Sequence, residues 1–208
     1  MTARPTVIVL AAGKGSRFLG SDHKLAQSLG GMTVLGTTLR QAIASQLPVV
    51  VVTTEHLAAV ARRSVAARDI VLVPEVGSDG RLALGMGYSI AAGVGARPDA
   101  GGWLILPGDM PRIQPATLQS VARELSSHAI VYTQFKGRRG HPVGFSSELY
   151  SELAELSGDE GARRVIARYP SHALNVDDPG VLIDVDTVAD LENVRGNSAT
   201  VTSPETRY

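Results

Sequence analysis

The chain has 208 residues, 20 Lys and Arg against 20 Asp and Glu, no cysteine, and 44% apolar residues. That length suits one domain, or one domain with a tail, and such a chain buries roughly 70% of its unfolded surface without a disulfide or metal staple. The balanced charge and the 4% aromatic content argue against a nucleic-acid partner, and the missing cysteine excludes disulfides, thiolate nucleophiles and Cys-ligated zinc.

Met1-Thr-Ala-Arg-Pro-Thr6 carries one positive side chain and leads into a short apolar run. A secretory signal wants a longer apolar core with a small-residue cleavage site, and a membrane span needs ~20 apolar residues. The expectation is a cytoplasmic protein with no membrane partner.

Thr6-Val-Ile-Val-Leu10 is a continuous apolar run, and Val49 to Thr53, Ile70 to Val73 and Trp103 to Leu106 repeat the pattern. Runs with little alternation read as strands covered on both faces, as in a parallel sheet between helix layers. Helical periods occupy Thr33 to Gln46, Glu55 to Ala67, Leu82 to Gly93 and Ala116 to Ser126. Pro115 stands near the first turn of the last, where its missing N–H is tolerated. Strand and helix in alternation predict right-handed βαβ units: an α/β domain with a mostly parallel sheet and helices on both faces.

The second half is less regular. Ala129 to Gln134 and Pro142 to Phe145 read as strands joined by a Gly-rich basic loop, Phe135 to His141. Helices are expected near Ser147 to Leu156 and Asp159 to Arg168, then a short strand at Leu182 to Val185. Thr187-x-x-Asp190 resembles a capping box opening a final helix. One domain is expected over residues 1–195, with the polar, unpatterned residues 196–208 as a disordered tail.

Leu10-Ala-Ala-Gly-Lys-Gly-Ser-Arg17 directly follows the first strand. Small residues there let backbone N–H groups approach a ligand closely, and such groups suit phosphate. A dinucleotide fingerprint would need Gly where Phe18 stands, and a P-loop would need Gly-Lys-Ser/Thr at the same point. What remains is Gly13-x-Gly15-x-Arg17 with Lys24 seven residues on: two permanent cations beside a loop of donors, fit for a triphosphate. The alternative is a tight turn with exposed basic residues.

Leu104-Ile-Leu-Pro-Gly-Asp109-Met-Pro111 puts a carboxylate just past the carboxyl end of a buried strand, where α/β sheets bind ligands. Asp184-Val-Asp186 places two more carboxylates on one face of an extended segment. Separated acidic sites and a cationic loop together suggest a Mg²⁺-triphosphate pocket, although Asp109 also suits a turn and Asp186 a helix start. Lys136-Gly-Arg138-Arg139-Gly-His141 reads either as a solvated turn or as an arm for a second, anionic substrate. The glycines of Gly80 to Ser89, in or before a helix, imply close backbone approach by a ligand or strand. His23, His56, His128 and His172 lack metal-ligand spacing and receive no role. No Gly-x-Ser-x-Gly elbow is present, which sets serine hydrolase chemistry aside.

These motifs, with Gly158-Asp-x-Gly-Ala-Arg163 and Asp184-Val-Asp-Thr187, occur in an order that resembles the MobA-like nucleotidyltransferases, and within them the molybdenum cofactor cytidylyltransferases. The resemblance spans roughly Val7 to Asn193. It implies a single Rossmann-like domain that transfers CMP from CTP to the terminal phosphate of molybdopterin cofactor and releases pyrophosphate. It further implies Mg²⁺ on Asp109 and Asp186, and Arg17 and Lys24 acting with Asp109 in catalysis. Nucleotide contacts would come from Leu10, Ala11, Ala12, Gly13, Gly15, Lys24, Gly85 and Ser89. Arg138, Arg139 and His141 would lie on the pterin side. Ala11-Ala12 points toward CTP, since guanylyl-transferring relatives tend to have glycine there. The implied protein partner is a molybdoenzyme of the xanthine dehydrogenase type. Two departures stand out: Asp22-His23 precede Lys24 where relatives usually carry Pro, and Thr187-Val-Ala-Asp190 replaces Thr-Pro-Glu-Asp. The competing readings are a guanylyl or sugar-phosphate transferase of the same superfamily, a NAD(P)H-dependent reductase, and a cofactor-binding chaperone on this fold.

Overall fold

The computed structural model describes residues 3–15, 18–19, 22–75 and 85–196. The first half runs β1 (Thr6–Ala11), the short ribbon β2 (Ser28–Leu29) and β3 (Met32–Thr33), α1 (Val34–Ala44), β4 (Val49–Thr53), α2 (Glu55–Ala61) and β5 (Ile70–Leu72). It continues through α3 (Met86–Gly95), β6 (Gly102–Pro107) and α4 (Pro115–Glu124). The second half comprises β7 (Ile130–Phe135), β8 (Arg138–Ser146), α5 (Tyr150–Ala154), α6 (Arg163–Arg168), β9 (Ser171–Asn175) and α7 (Val188–Gly196). Seven strands make one sheet in the order β5-β4-β1-β6-β8-β7-β9. Neighbours are parallel except at β8, which runs antiparallel to both β6 and β7.

Alternation along β1 explains why it is apolar from Val7 to Ala11. Val7, Val9 and Ala11 enter a core with Leu35 and Leu39 of α1, Leu57 of α2, Leu118 of α4 and Leu191 of α7. Ile8 points the other way, with Val50 and Val52 of β4, toward Ile90 of α3, Leu153 of α5 and Val165 of α6. Burial of each such side chain contributes roughly 1.5–3 kcal/mol, so a polar residue on either face of β1 would be strongly disfavoured. Helices α1 and α4 start where their sequences say: Thr33 accepts a hydrogen bond from the Gly36 N–H at 2.9 Å, and Pro115 occupies the first turn of α4. Thr187 and Asp190 exchange backbone-to-side-chain bonds, 2.8 Å and 3.2 Å, as a reciprocal cap on α7.

The chain leaves β1 toward β4 and β5 on one side, then returns to β6 on the other. Beyond the carboxyl ends of β1 and β6 this reversal opens a crevice, the usual ligand position in such sheets.

Three local expectations need correction. Leu182 to Val185 is not a strand: a 3-10 turn, Pro179–Leu182, leads into an extended segment with no ladder. Its Val185 N–H donates instead to the Asp109 carbonyl at 2.9 Å, and the Val185 side chain is fully buried, so this segment is fastened to the loop after β6. The added strand is β9, whose Ser-His-Ala-Leu-Asn has too little apolar pattern to signal it. The basic loop is shorter than expected, because Lys136 and Gly137, both at positive φ, form a two-residue turn of the kind that matches strand twist. Arg138, Arg139 and His141 therefore belong to β8. Gly196 closes α7, and the remainder of the expected tail, 197–208, lies outside the described residues. Among those residues, no helix is long and apolar enough to cross a membrane.

Candidate active site

The crevice is built by four pieces of chain. Leu10 and Ala11 end β1, and Ala12, Gly13 and Gly15 continue into the small-residue loop. Lys24 opens a single 3-10 turn, Lys24–Ala26. Asp109 stands two residues past β6, on a turn held by the Gly108 N–H donating to the Leu10 carbonyl at 2.8 Å. Asp186 ends the extended segment that precedes α7. Arg17 lies outside the described residues.

Lys24, Asp109 and Asp186 meet. The Lys24 Nζ donates to Asp109 Oδ2 and to Asp186 Oδ1, both at 2.6 Å. All three side chains are largely withdrawn from solvent, at 12–16% exposure. Burial alone disfavours the ammonium, but the charge and hydrogen bond of Asp109, with those of Asp186, outweigh it and raise the Lys24 pKa above its ordinary value. Asp184 is exposed, and its carboxyl is pushed up by partial desolvation and by the charges of Asp186 and Asp109.

Two features test whether a divalent cation suits this place. Lys24 offers one positive charge to two carboxylates converging on a single point. Asp109 Oδ1 is also buried with no hydrogen-bond partner among the described residues, an arrangement that costs about 1–3 kcal/mol unless a cation or donor satisfies it. An all-oxygen acidic pair of this kind fits a hard ion such as Mg²⁺ or Mn²⁺. The residues fit the group.

His23, which has no role by spacing along the chain, links the loop to the lysine. Its Nε2 lies 2.8 Å from the Gly13 carbonyl, and its Nδ1 lies 3.2 Å from the Leu25 N–H. A carbonyl can only accept and an amide N–H can only donate, so the ring is neutral with its proton on Nε2. Burial lowers its pKa in the same sense, against the pull of the Gly13 bond. Gly15, at φ +61°, lies close under this ring. The signal in the sequence was the substitution of His for Pro before Lys24, which reads as a local contact only once the loop is folded.

The remaining candidates fall into two groups. Gly85 precedes α3, and Ser89 is buried in its first turn. The close approach expected there is made by another loop: a Cβ on Gly87 would stand 2.6 Å from the Ser157 carbonyl oxygen, and the Gly87 N–H donates to the Gly158 carbonyl at 2.8 Å. His141 lies on β8 close enough to Asp109 to feel its charge; burial, the larger effect, lowers its pKa. Its Nδ1 is buried without a hydrogen-bond partner among the described residues. Arg138 and Arg139 are exposed near the hairpin tip, and Arg139 lies over the Tyr132 ring at 4.1 Å from the centroid. The tip projects at the same end of the sheet as Asp109, because β7 and β6 run in the same direction.

Asp178 supports this assembly. Its carboxylate is buried and accepts from the Gly180 N–H at 2.8 Å, the Gln114 N–H at 2.9 Å and the Thr117 hydroxyl at 2.7 Å. It thereby fixes the turn before Asp184 and Asp186 to the N-terminus of α4.

A switch-point crevice with a small-residue loop, a buried lysine and paired strand-end carboxylates defines a nucleotide-handling α/β enzyme. Residues 7–174 match the family described as the MobA-like NTP transferase domain, and the chain belongs to that family. It is a nucleotidyltransferase. The chain is 29% identical over 205 residues to the purine catabolism protein PucB of Bacillus subtilis, covering 90% of this chain and 94% of that one. A 33% identical match to the bifunctional protein GlmU of Alkalilimnicola ehrlichii covers 57% of this chain but only 25% of that longer protein. Among solved structures, the Rv0371c homologue from Mycobacterium sp. strain JC1 superposes with a TM-score of 0.81 at 29% identity, covering 97% of this chain and all of that one. The manganese complex of Rv0371c from Mycobacterium tuberculosis gives 0.74 at 28% identity, covering 93% and 98%.

Proposed function

We propose that this nucleotidyltransferase moves CMP from CTP to the terminal phosphate of molybdopterin cofactor, forming the cytosine dinucleotide and releasing pyrophosphate, with Mg²⁺ as its metal. The observation that carries the reading is the convergence of Lys24, Asp109 and Asp186 at the crevice beside the small-residue loop. Asp109 and Asp186 would hold the divalent ion, which when bound supplies charge neutralisation at the phosphates. Lys24, already charged, neutralises triphosphate oxygens, and the N–H groups near Gly13 and Gly15 orient them. A phosphate monoester has its second pKa near ~6 and is ionised at neutral pH. The attacking group therefore needs no general base, which agrees with a site whose residues are charge carriers. Arg138, Arg139 and His141, on the strand flanking β6, would receive the anionic pterin substrate.

CTP is favoured by the resemblance at Ala11 and Ala12, two small buried residues where guanylyl-transferring relatives tend to have glycine. PucB's name, a purine catabolism protein, accords with delivery to a molybdoenzyme of the xanthine dehydrogenase type, since xanthine is a purine. A manganese-bound neighbour agrees with a hard divalent ion.

The test is incubation with Mg²⁺, molybdopterin cofactor and each of the four nucleoside triphosphates in turn, followed by product analysis. The expected result is a cytosine dinucleotide and pyrophosphate from CTP alone. A product from GTP, or from a sugar phosphate in place of the pterin, would overturn the substrate assignment; tight pterin binding with no pyrophosphate from any nucleotide would replace transfer with a carrier role.

A further inference from the structure

The four histidines lacking metal-ligand spacing along the sequence are not all far apart in the fold. Glu124 closes α4, His128 lies in the turn leading into β7, and His172 is the second residue of β9. One ligand atom from each of the three lies within 4.8 Å of the others, and all three residues are half-buried. The rings of His128 and His172 are stacked, with centroids 4.0 Å apart and planes 3° from parallel. Glu124 Oε2 stands 3.6 Å from His128 Nε2, too far for a hydrogen bond. It is close to the roughly 3.3 Å that separates two ligands on a tetrahedral ion with bonds of about 2.0–2.1 Å.

We propose that Glu124, His128 and His172 form a transition-metal site, selective for zinc-like ions, at the amino-terminal end of the parallel strands. Two imidazoles and a carboxylate make a ligand set for a borderline-soft ion, with a fourth position left for water. The ligand atoms must close by no more than about 1.5 Å to meet the geometry above, and one imidazole must turn out of the stack, because ring lone pairs lie in the ring planes and parallel rings do not converge on one ion. Half-buried side chains on a turn and a strand start can make both movements. This chemistry differs from that of Asp109 and Asp186, whose oxygens suit hard ions, and the two places lie at opposite ends of the sheet. The ion would fasten β9, the outermost strand on its side and paired with β7 through Val131 and His172, to the end of α4. A strand held along one edge only gains most from such a clasp.

The experiment uses the full chain without a polyhistidine tag, titrated with Zn²⁺ alone by calorimetry, and with Co²⁺ to read the visible absorption of a tetrahedral nitrogen-ligated ion. The expected result is one equivalent of Zn²⁺ whose affinity falls at least tenfold in both His128→Ala and His172→Ala and is unchanged in Asp109→Asn. At a hundredfold excess over Kd, Zn²⁺ should raise the melting midpoint of the wild type by about 5–10 °C and that of each histidine variant by no more than about half as much. Circular dichroism of the variants separates loss of the ion from loss of the fold. Zinc binding that survives both histidine changes, or that disappears with Asp109→Asn, would overturn the proposal, as would Co²⁺ spectra of octahedral oxygen ligation; then the stacked pair is packing alone.

Discussion

The two flanks of β6 serve the crevice differently. On one side, β5-β4-β1 repeat a single unit, strand then helix, and the strand ends deliver a loop and a lysine whose positions follow from that repetition. On the other side, β8 reverses the sheet, and β7, β8 and β9 bring side chains along a strand instead of from a loop at its end. Asp186 joins the two: its segment starts at the turn under β8, is fixed to α4 by Asp178, and ends against Lys24. On the function proposed above, the regular flank would bring Lys24 to a nucleotide, while the reversed flank would receive the second substrate. One carboxylate of the pair depends on both.

The sharpest way to break this division is Asp109→Asn, which leaves the charge of Asp186 and the packing intact. Turnover should fall about 10³-fold, in line with removal of one strong electrostatic group, with near-ultraviolet circular dichroism unchanged. Lys24→Met should lower kcat/KM by about 10²-fold. Its contribution has a defined pH window. A lysine whose pKa is raised by folding stabilises the protein fully below its ordinary value and loses that effect only as pH climbs through the higher, folded value. The stability gap between wild type and Lys24→Met, measured by denaturant titration, should therefore be flat from neutral into mildly alkaline pH and close only in strong alkali.

Gly140→Ala tests the dependence of Asp186 on the reversed flank. Its Cβ would stand 2.2 Å from the Val181 carbonyl oxygen, forcing the 179–182 turn outward. About 1–3 kcal/mol of stability should be lost, with weaker divalent-ion binding although no ligand has changed; thermal melts with and without Mn²⁺ would separate the two effects.

His23→Ala should raise KM for the nucleotide by up to about tenfold, since each hydrogen bond it makes contributes about 0.5–1.5 kcal/mol, while kcat moves little. His23→Asn, which keeps an acceptor for Leu25, should recover part of the loss. Because the folded pKa of His23 is depressed, its clamp is present above the ordinary value near 6.5 and is lost as pH falls through the folded value. Wild-type KM should accordingly rise in acid more steeply than that of His23→Asn. The smallest effect expected is a slight rise in melting midpoint at pH 7 for Asp184→Asn, vanishing near pH 3, where the carboxyl is neutral in both states and no longer repelled by Asp186 and Asp109.

What could be read before folding follows the same division. The apolar runs at Thr6, Val49 and Trp103 announce buried strands because burial on both faces leaves no room for polar alternation, and Asp109 is marked by its place after one of them. β9 carried no such mark: it lies at the sheet's edge, half-exposed, and owes its strand to hydrogen bonds with β7. Leu182 to Val185 had the composition of a strand, yet its amide found the Asp109 carbonyl instead of a ladder. Local pattern reports burial but not the backbone partner. The joining of His23 to Gly13, and of His128 to His172, depends on distances across the fold that no spacing along the chain encodes.

The central idea is that Asp109 and Asp186 share one divalent ion. Electron paramagnetic resonance of Mn²⁺ with CTP, counting the bound ion in wild type, Asp109→Asn and Asp186→Asn, addresses it directly. One ion per chain in the wild type and its loss in each variant is the predicted result; an undiminished count in either variant would contradict the account.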